Sequence, residues 1–346
     1  STNTRCDTLP HMDRFLTRLE SATVRYLTHR KAVRLHHKMN KPKRTFLGEL
    51  KGWADALVFA VFAVLLINQY LFQLFVIPTP SMVSTLDIGD RVFVSKTIYG
   101  VELYPTGPKV GSKNRQVKRD AIITFYNPEY DSKGPLFDIL SQIVFSGTLS
   151  LVNIDRNEDG SIAERLFVKR AIGLPEELVR FVNGNAELRK VGFTSFEDEV
   201  SFREDSGLAP APHRSIDPEL YSGLNAWGSL FGYQEEGFDV NNAPNHLKSR
   251  YNSVAHLSYP PDYYTFEKAR AETRHLLDPT SLQARSEASH YRRGTYVPRN
   301  AILPLGDNRD NSRDGRYFGP VDQSTINGSV VFRFWPPGRV RPMGNA

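Results

Sequence analysis

Three short segments of the 346-residue sequence carry polar side chains that could take part in catalysis. Residues 77–82 read IPTPSM and present Ser81 just after a long apolar run. Residues 167–175 read FVKRAIGLP and place Lys169 directly after two apolar residues. Residues 306–319 read GDNRDNSRDGRYFG. Each segment alone also fits an ordinary interpretation: a loop serine, a solvated strand lysine and a hydrogen-bonded turn rich in Asn and Asp.

A serine hydroxyl is a weak nucleophile and needs a base that takes its proton. The sequence has no Gly-x-Ser-x-Gly motif, and no histidine flanks Ser81. A lysine amine can act as the base only when it is neutral, which requires burial that lowers its pKa from ~10.4 by several units. Lys169 is well placed for this, because it follows Phe167 and Val168 on a segment predicted to be a buried strand.

The three segments, taken together and in this order, resemble the nucleophile, lysine and signature segments of bacterial type I signal peptidases, which are serine proteases with a Ser/Lys dyad. Residues 119–125, RDAIITF, are similar to the strand segment between the first two. The resemblance implies that Ser81 is the nucleophile and Lys169 its general base. It also implies that Ser312 orients the lysine amine through a hydrogen bond.

The resemblance extends to the residues around the dyad. The Ser81 backbone N–H and the Thr79 hydroxyl are expected to stabilise the oxyanion, at roughly 3 kcal/mol for each donor. Charge-assisted hydrogen bonds are expected to support the site. The residues expected in this supporting role are Arg170, Asp307, Asp314 and Arg316. For Arg170, like-charge pressure on the lysine amine is the alternative to structural pairing.

Signal peptides carry small residues at the first and third positions before the cut, so the substrate pockets are expected to be shallow and apolar. The substrate would lie extended along the nucleophile and lysine segments and add a strand. Met82 fits ordinary core packing as well as it fits a pocket wall. The expected pocket residues are Phe75, Ile77, Pro78, Met82, Leu86, Phe167 and Val168.

The nucleophile and signature segments depart from the family pattern at three positions. Pro80 stands where glycine is common, Ser84 where proline is usual, and Gly315 where serine is commoner. Proline lacks an N–H, but the expected oxyanion donor belongs to Ser81. The departures therefore leave the predicted chemistry in place.

One apolar run, residues 53–77, is long enough to cross a bilayer as a helix. A buried core helix is the alternative, and it is less favoured because core helices rarely run this long without charge. In residues 1–52, Lys and Arg outnumber Asp and Glu by about three to one. Positive charge before a span predicts a cytoplasmic N-terminus, so the segments with the candidate catalytic residues are expected outside the membrane.

Short runs rich in β-branched and aromatic residues predict a mostly antiparallel β catalytic domain. The predicted strands are 91–95, 121–125, 166–168, 178–182 and 329–334, and Asn183-Gly184 is a strong hairpin signal. The expected organisation is a basic cytoplasmic arm at 1–52, a transmembrane helix at 53–77, and a β-rich domain at 78–184 and 296–346. This domain would carry an insertion around 128–165 and an inserted α+β lid subdomain at 185–295, with a helix at 263–277.

Two segments admit more than one interpretation. Residues 136–152 are apolar at helical spacing, and an interfacial helix or core packing is favoured over a second span, which would put Lys169 and Ser81 on opposite sides of the membrane. Residues 155–162 follow the opening of a calcium-binding loop, but Leu166 stands where the bidentate Glu is required, so an acidic turn is favoured. His36 and His37 lack partner ligands. No metal or cofactor is predicted.

The sequence therefore predicts a membrane-bound serine endopeptidase that removes signal peptides from exported preproteins at the outer face of the cytoplasmic membrane. Its expected partners are these signal peptides, membrane lipid and the protein-export machinery. Nucleic-acid binding through the basic arm is disfavoured because no recognition motif accompanies the charge. A relative dedicated to one pilus or secretion component and a catalytically silent membrane scaffold are the competing interpretations.

Overall fold

The computed structural model describes residues 9–39, 46–103, 107–111, 116–131, 133–148, 152–156, 160–161, 163–208 and 212–343. The chain divides into two compact units, Ser1–Ala60 and Val61–Ala346. The first unit contains α1 (Leu9–Met39) and the beginning of α2 (Phe46–Tyr70). All strands of the described residues belong to the second unit.

Helix α2 contains most of the predicted membrane span but ends earlier than expected. Its stretch Glu49–Tyr70 has a mean hydropathy of 2.0 and is, in the described part of the chain, the one helix long and apolar enough to cross a membrane. The predicted span of 53–77 is wrong at its end, because Phe72–Val76 forms strand β1. This strand pairs along its whole length with the next strand of the sheet. An apolar run does not by itself distinguish a buried strand from a helix.

The main sheet runs through the second unit and is antiparallel throughout its ladders. In addition to β1, its strands are β2 (Arg91–Ser95), β5 (Ile122–Tyr126), β6 (Leu166–Gly173), β11 (Ala301–Leu305), β12 (Val321–Asp322), β13 (Ile326–Trp335) and β14 (Arg341–Pro342). The strand order is β1-β2-β13-β5-β6-β11-β12, with β14 paired to β13. The predicted antiparallel β fold is thereby confirmed.

A smaller sheet consists of β7 (Leu178–Val182), β8 (Asn185–Arg189), β9 (Glu197–Asp198) and β10 (Thr295–Tyr296), in the order β10-β7-β8-β9. A separate hairpin pairs β3 (Val101–Glu102) with β4 (Lys109–Val110). Between β7 and β8, Asn183 and Gly184 both have positive φ, 48° and 74°. Two such residues in a two-residue loop form the turn that the Asn-Gly pair predicts.

The remaining helices lie mostly between β8 and β10. They are α4 (Glu199–Asp205), α5 (Leu220–Glu235), α6 (Asn245–Tyr251), α7 (Tyr263–Leu277) and α8 (Leu282–Arg293), with α3 (Pro135–Gly147) and α9 (Gly315–Phe318) elsewhere. Helix α7 has the predicted bounds. Residues 185–295 belong to the same compact unit as the main sheet. Their role as a lid stays a prediction.

Strand β6 lies inside the main sheet between β5 and β11, and all its residues after Leu166 are buried. Two apolar clusters cover its two faces, one with Ala171 and Phe167, the other with Val168. Alternate residues of a strand point to opposite faces, so a polar residue here enters a dry environment whichever way it points. Position 169 on this strand is therefore a place where an amine is desolvated.

Candidate active site

Ser81 lies in a short 3₁₀ turn, Pro80–Met82, between β1 and β2. The approach to this turn is fixed by backbone hydrogen bonds: Ile77 N–H donates to Asp90 C=O and Gly89 N–H to Ile77 C=O, both at 2.9 Å. After the turn, Leu86 N–H donates to Met82 C=O at 2.8 Å. The Ser81 side chain is thus held by a rigid loop, and the residue is 8% exposed.

Lys169 and Ser81 are in direct contact. Strand β6 pairs with β5 in a register that sets Lys169 opposite Ile123. The Lys169 Nζ lies 2.8 Å from Ser81 Oγ and 3.2 Å from the Val168 carbonyl oxygen. The charged amine donates to Ser81 Oγ, and a neutral amine can accept the serine proton across the same contact. The two residues that the sequence paired are 88 positions apart in the chain.

Burial lowers the pKa of the Lys169 amine to about 8. The carboxylates of Asp314, Glu164 and Asp307 oppose the shift, and the Arg316 guanidinium adds to it. The Phe167 ring, 5.1 Å from Nζ, also favours the charged amine. Desolvation outweighs these opposing effects, because Lys169 is 3% exposed. A substantial fraction of the amine is therefore neutral near pH 8.

Thr79 lies beside Ser81, with Thr79 Oγ1 3.4 Å from Ser81 Oγ. A hydroxyl two residues before the serine can donate to an oxygen that develops charge during attack. The Ser81 N–H belongs to the same turn. The structure therefore places both predicted oxyanion donors close to Ser81 Oγ.

The signature segment holds the nucleophile turn through Asn308, a residue to which the sequence patterns assigned no separate role. Asn308 N–H donates to Ser81 C=O at 3.0 Å, and its Nδ2 donates to Pro80 C=O at 3.1 Å. Its position inside the GDNRDNS segment was the one signal that could have indicated it. Two hydrogen bonds from one residue fix the backbone on both sides of the Pro80–Ser81 peptide.

Asp307 and Arg170, two residues for which a supporting role is predicted, form a buried ion pair. Arg170 Nε and Nη2 donate to the two carboxylate oxygens of Asp307 at 2.8 and 2.6 Å. Burial alone would raise the pKa of the Asp307 carboxyl, but the Arg170 guanidinium outweighs it and holds the pKa below its usual value. Arg170 also donates to Asp120 and, at 3.2 Å, to Thr85 Oγ1. The lysine strand is thereby tied to the signature segment and to the loop after Ser81.

Asp314 and Arg316 form a second supporting pair. Arg316 Nε donates to Asp314 Oδ1 at 2.9 Å, and Asp314 Oδ2 accepts from Gly306 N–H at 3.0 Å. Arg316 Nη2 also donates to the Ser312 carbonyl oxygen at 3.3 Å. These contacts close the signature segment into a compact loop. A supporting role for both residues stays a prediction.

Ser312 is next to the nucleophile turn, but its hydroxyl does not make the expected hydrogen bond. Ser312 Oγ is buried and has no hydrogen-bond partner within the described residues. Gly306 allows the close approach, because a Cβ there would lie 2.6 Å from the Ser81 carbonyl oxygen and closer still to the Ser312 hydroxyl. The Lys169–Ser312 hydrogen bond is therefore not formed here, and an orienting role for Ser312 stays a prediction.

A further buried charge network, which the sequence did not indicate, reaches the signature segment from α4. Arg309 Nη1 and Nη2 donate to Glu199 at 2.7 and 2.9 Å, and Arg203 joins Glu199 to Asp120. The inserted residues also pair with the segment directly, since His213 forms a parallel bridge with Asn308. The sequence offered no signal for the Arg309–Glu199 and Arg203–Asp120 pairs, because the paired charged residues are far apart in the chain.

A cleft of about 300 Å³, open to solvent, contains both Ser81 and Lys169. Six of the seven predicted pocket residues line it, namely Phe75, Ile77, Pro78, Met82, Phe167 and Val168. Leu86 is not among the lining residues but fully buried in the core cluster of Ile77, Met82 and Val168. Leu86 therefore packs against three of the residues that line the cleft. Glu164, Leu166 and Thr79 complete the lining.

Within the described ranges, no group of three or more His, Cys, Asp or Glu side chains could hold a metal ion. Part of the candidate calcium loop, residues 157–159 and 162, lies outside the described residues. Its first residue, Asp155, accepts hydrogen bonds from Tyr130 and Arg165. This carboxylate is therefore occupied by protein donors.

Comparison with known proteins agrees with this geometry. The sequence matches the family described as signal peptidase, peptidase S26, over residues 50–194 and 228–335. The match covers most of the chain, so the chain belongs to this family and is a serine endopeptidase. The matched residues include the cleft and the signature segment.

Curated relatives with similar sequences have the same family name. Signal peptidase I of Buchnera aphidicola subsp. Schizaphis graminum is 22% identical over 300 residues, which are 82% of this chain and 78% of the relative. Signal peptidase I of Helicobacter pylori (strain J99) is 21% identical over 299 residues, or 84% of each chain. Signal peptidase IB of Staphylococcus aureus is 48% identical over 44 residues, which are 13% of this chain and 23% of the relative.

Proposed function

We propose that this endopeptidase removes signal peptides from exported preproteins, with Ser81 as the nucleophile and Lys169 as the general base. One observation carries the proposal: the buried amine of Lys169, with its pKa lowered to about 8, lies 2.8 Å from Ser81 Oγ. An ordinary structural lysine inside a protein is paired with a carboxylate rather than directed at a serine hydroxyl. This contact has the geometry that a serine nucleophile requires of its base.

The reaction begins when Ser81 Oγ attacks the scissile carbonyl carbon and Lys169 Nζ takes the hydroxyl proton. The carbonyl oxygen becomes an oxyanion, which the Ser81 N–H and the Thr79 hydroxyl stabilise as hydrogen-bond donors. The peptide C–N bond then breaks, and the lysine proton passes to the leaving amine. The signal peptide remains as an ester on Ser81. Lys169 next takes a proton from water, and the water oxygen attacks the ester carbonyl carbon. The bond between this carbon and Ser81 Oγ then breaks, Oγ receives the proton from Lys169, and the signal peptide leaves as the free carboxylic acid.

The cleft suits a substrate with small side chains near the cut. Apolar side chains dominate the wall, with Phe75, Ile77 and Met82 on the nucleophile side and Phe167 and Val168 on the lysine side. Large residues at the cleaved positions would clash with these walls. This supports the preference for small residues that signal-peptide cleavage sites show.

We further propose a single span through α2 with the N-terminus in the cytoplasm. The apolar stretch Glu49–Tyr70 has the length that a bilayer requires, and the segment before it is basic. The cleft-lining Phe75 follows the end of α2 by five residues, so the active site would face the outer membrane surface. Membrane lipid and the export machinery are the partners this arrangement implies. The domain organisation expected from the sequence, including a lid at 185–295, is part of the proposal.

Substitution of the two proposed catalytic residues tests the reaction. Ser81→Ala and Lys169→Ala should each abolish cleavage of an exported precursor by the full chain in detergent micelles, while thermal unfolding shows a folded protein. Lys96→Ala is the matched control, because Lys96 is 2% exposed and burial lowers its pKa to about 8 as well. This control should retain activity. Full activity in either site variant would contradict the proposal, as would equal inactivation by Lys96→Ala in a folded protein.

A further inference from the structure

Helix α3 presents its apolar side chains to the outside. Leu136, Ile139, Leu140 and Ile143 follow the i, i+3, i+4, i+7 spacing that places side chains on one face of a helix. In a water-soluble domain this face packs against the core. Here Leu136 is 85% exposed, Leu140 54%, Ile143 48% and Ile139 36%. The apolar stripe that predicted this helix thus lacks the core contact that usually accompanies such a stripe.

Two polar residues of α3, Asp138 and Ser141, are buried instead. Asp138 is 7% exposed and Ser141 4% exposed. Asp138 Oδ1 accepts hydrogen bonds from the Tyr130 hydroxyl at 3.1 Å and from Arg165 Nη2 at 3.0 Å. Arg165 Nη1 also donates to the Asp138 carbonyl oxygen at 3.0 Å. These buried charged contacts fix the rotation of the helix, so its apolar face cannot turn inward without breaking them.

The contacts of Arg165 also fix where α3 lies. Arg165 stands in the chain between Glu164 and Leu166, and both of these line the catalytic cleft. Helix α3 is therefore attached at the rim of the cleft. Phe75, which also lines the cleft, follows the end of α2 at Tyr70 by five residues, which span at most about 17 Å. A bilayer crossed by α2 would lie close to the cleft and to this rim.

We propose that α3 lies in the interface of the lipid bilayer, with Leu136, Leu140 and Ile143 at the acyl boundary, and holds the cleft at the membrane surface. This inference deepens the proposed function and rests on its membrane attachment through α2. Thirteen residues make a helix of about 20 Å, too short to cross the roughly 30 Å hydrocarbon core but suited to lie along it. An inverted helix is favourable when the medium outside is apolar.

Lipid fits this face better than a peptide or a second chain. The stripe is the convex side of one helix, whereas bound peptides lie in grooves or along strand edges. The exposed stripe carries no charged side chain that could select a partner. A fluid bilayer requires neither a groove nor a charge pattern. The apolar segment of a precursor and a second copy of the chain are the occupants that the test must separate from lipid.

The test measures which solvent surrounds α3 in the full chain reconstituted into vesicles. Cys6, the one cysteine of the sequence, is replaced by Ser, and single cysteines at Leu140, Phe62 or Leu282 carry an environment-sensitive fluorophore. Phe62 belongs to α2, and Leu282 is a 72% exposed residue of α8. Lipids brominated in the acyl chain should quench the label at Leu140 and at Phe62. They should leave the label at Leu282 bright, and aqueous iodide should quench that label.

Three results would overturn the inference. Quenching by iodide at Leu140 with lipid quenching at Phe62 would place α3 in water while the attachment through α2 stands. Absence of lipid quenching at both Leu140 and Phe62 would contradict the membrane attachment through α2 as well. Protection of Leu140 from both quenchers would show a protein occupant: a precursor if it occurs only after precursor is added, a second copy if it disappears with one chain per vesicle.

A functional measurement accompanies the labelling. Leu136→Asp should lower kcat/KM for a precursor embedded in vesicles by roughly tenfold and leave cleavage of a short soluble peptide unchanged. The 85% exposure of Leu136 makes the substitution tolerable to the fold. Leu282→Asp is the matched control and should change neither rate. Equal loss on both substrates, or no loss on either, would contradict the inference.

Discussion

The buried pair of Glu199 and Arg309 offers a prediction that the sequence alone could not supply. Their side chains are 2% and 1% exposed and share two hydrogen bonds, at 2.7 and 2.9 Å. Arg309 also donates from Nε to the Gly306 carbonyl oxygen at 2.8 Å. The pair links α4 to the signature segment, one residue from Asn308. We expect it to stabilise the fold and to position the nucleophile turn.

Arg309→Met removes the guanidinium but leaves the Glu199 carboxylate buried, with Arg203 as its remaining cationic partner. Breaking one side of a buried ion pair costs about 3–5 kcal/mol. At ~2 °C per kcal/mol for a domain of this size, the unfolding temperature should fall by about 6–10 °C. Because Asn308 holds the backbone around Ser81, kcat should fall as well. A misplacement of 1 Å at a catalytic group can cost about a hundredfold.

The assay is thermal unfolding of the full chain in detergent, with peptide cleavage measured on the same preparations. Arg299→Met is the matched control, since Arg299 pairs with Glu176 at 2.7 Å but its side chain is 85% exposed. An exposed pair contributes about 0–1 kcal/mol, so this variant should unfold near the parent temperature. The double variant Glu199→Leu/Arg309→Met should recover roughly 2 kcal/mol relative to the sum of the single variants.

Equal destabilisation by Arg309→Met and Arg299→Met would refute a stabilising role for the buried pair. Simple addition of the two single effects at Glu199 and Arg309 would refute it as well, because the residues would then not act together. Loss of activity without loss of stability would keep the positioning role but remove the structural one.

Substitutions at four positions test the proposed site. Lys169→Arg should be inactive in peptide cleavage although it keeps the positive charge, because a guanidinium does not become neutral; measurable turnover would exclude a lysine base. Thr79→Val should lower kcat by about a hundredfold while Thr79→Ser retains most activity, and equal rates would remove Thr79 from the oxyanion hole. Asn308→Asp should lose as much kcat as Asn308→Ala, since a carboxylate cannot donate to Pro80 C=O; rescue by Asp would contradict this role. Ser312→Ala should lower kcat by roughly tenfold, and an unchanged pH–rate profile and kcat would show that the hydroxyl is dispensable.

Local sequence signals predicted much of the fold. The Asn183-Gly184 hairpin, strands 91–95 and 178–182 and the helix at 263–277 all have the expected bounds, because turn residues and short periodic runs act within a few positions. The end of α2 was predicted at the wrong position because it depends on a contact outside the local sequence. Whether Phe72–Val76 is helix or strand depends on pairing with β2, whose residues lie about 20 positions away.

The residues of the candidate site also fall into those that the sequence indicated and those that it did not. Ser81 and Lys169 could be named because three motifs occur together, and the structure brings these two residues into contact. Glu199 and Arg203 could not be named, since their partners Arg309 and Asp120 are remote in sequence and charged residues normally indicate a solvated surface. The sequence left open whether the apolar face of α3 packs against the core or points outward, because periodicity shows which residues share a face but not what that face contacts.

A neutral Lys169 amine is expected to take the proton of Ser81, and the pH dependence of kcat/KM tests this central step most directly. With the pKa lowered to about 8 by burial, only about a tenth of the amine is neutral at pH 7. Since the deprotonated form is active, kcat/KM of the full chain should rise about tenfold from pH 7 to a plateau above pH 9. A midpoint near the ordinary lysine value of ~10.4, or the same rising limb in the residual activity of Lys169→Ala, would contradict a lysine base at this position.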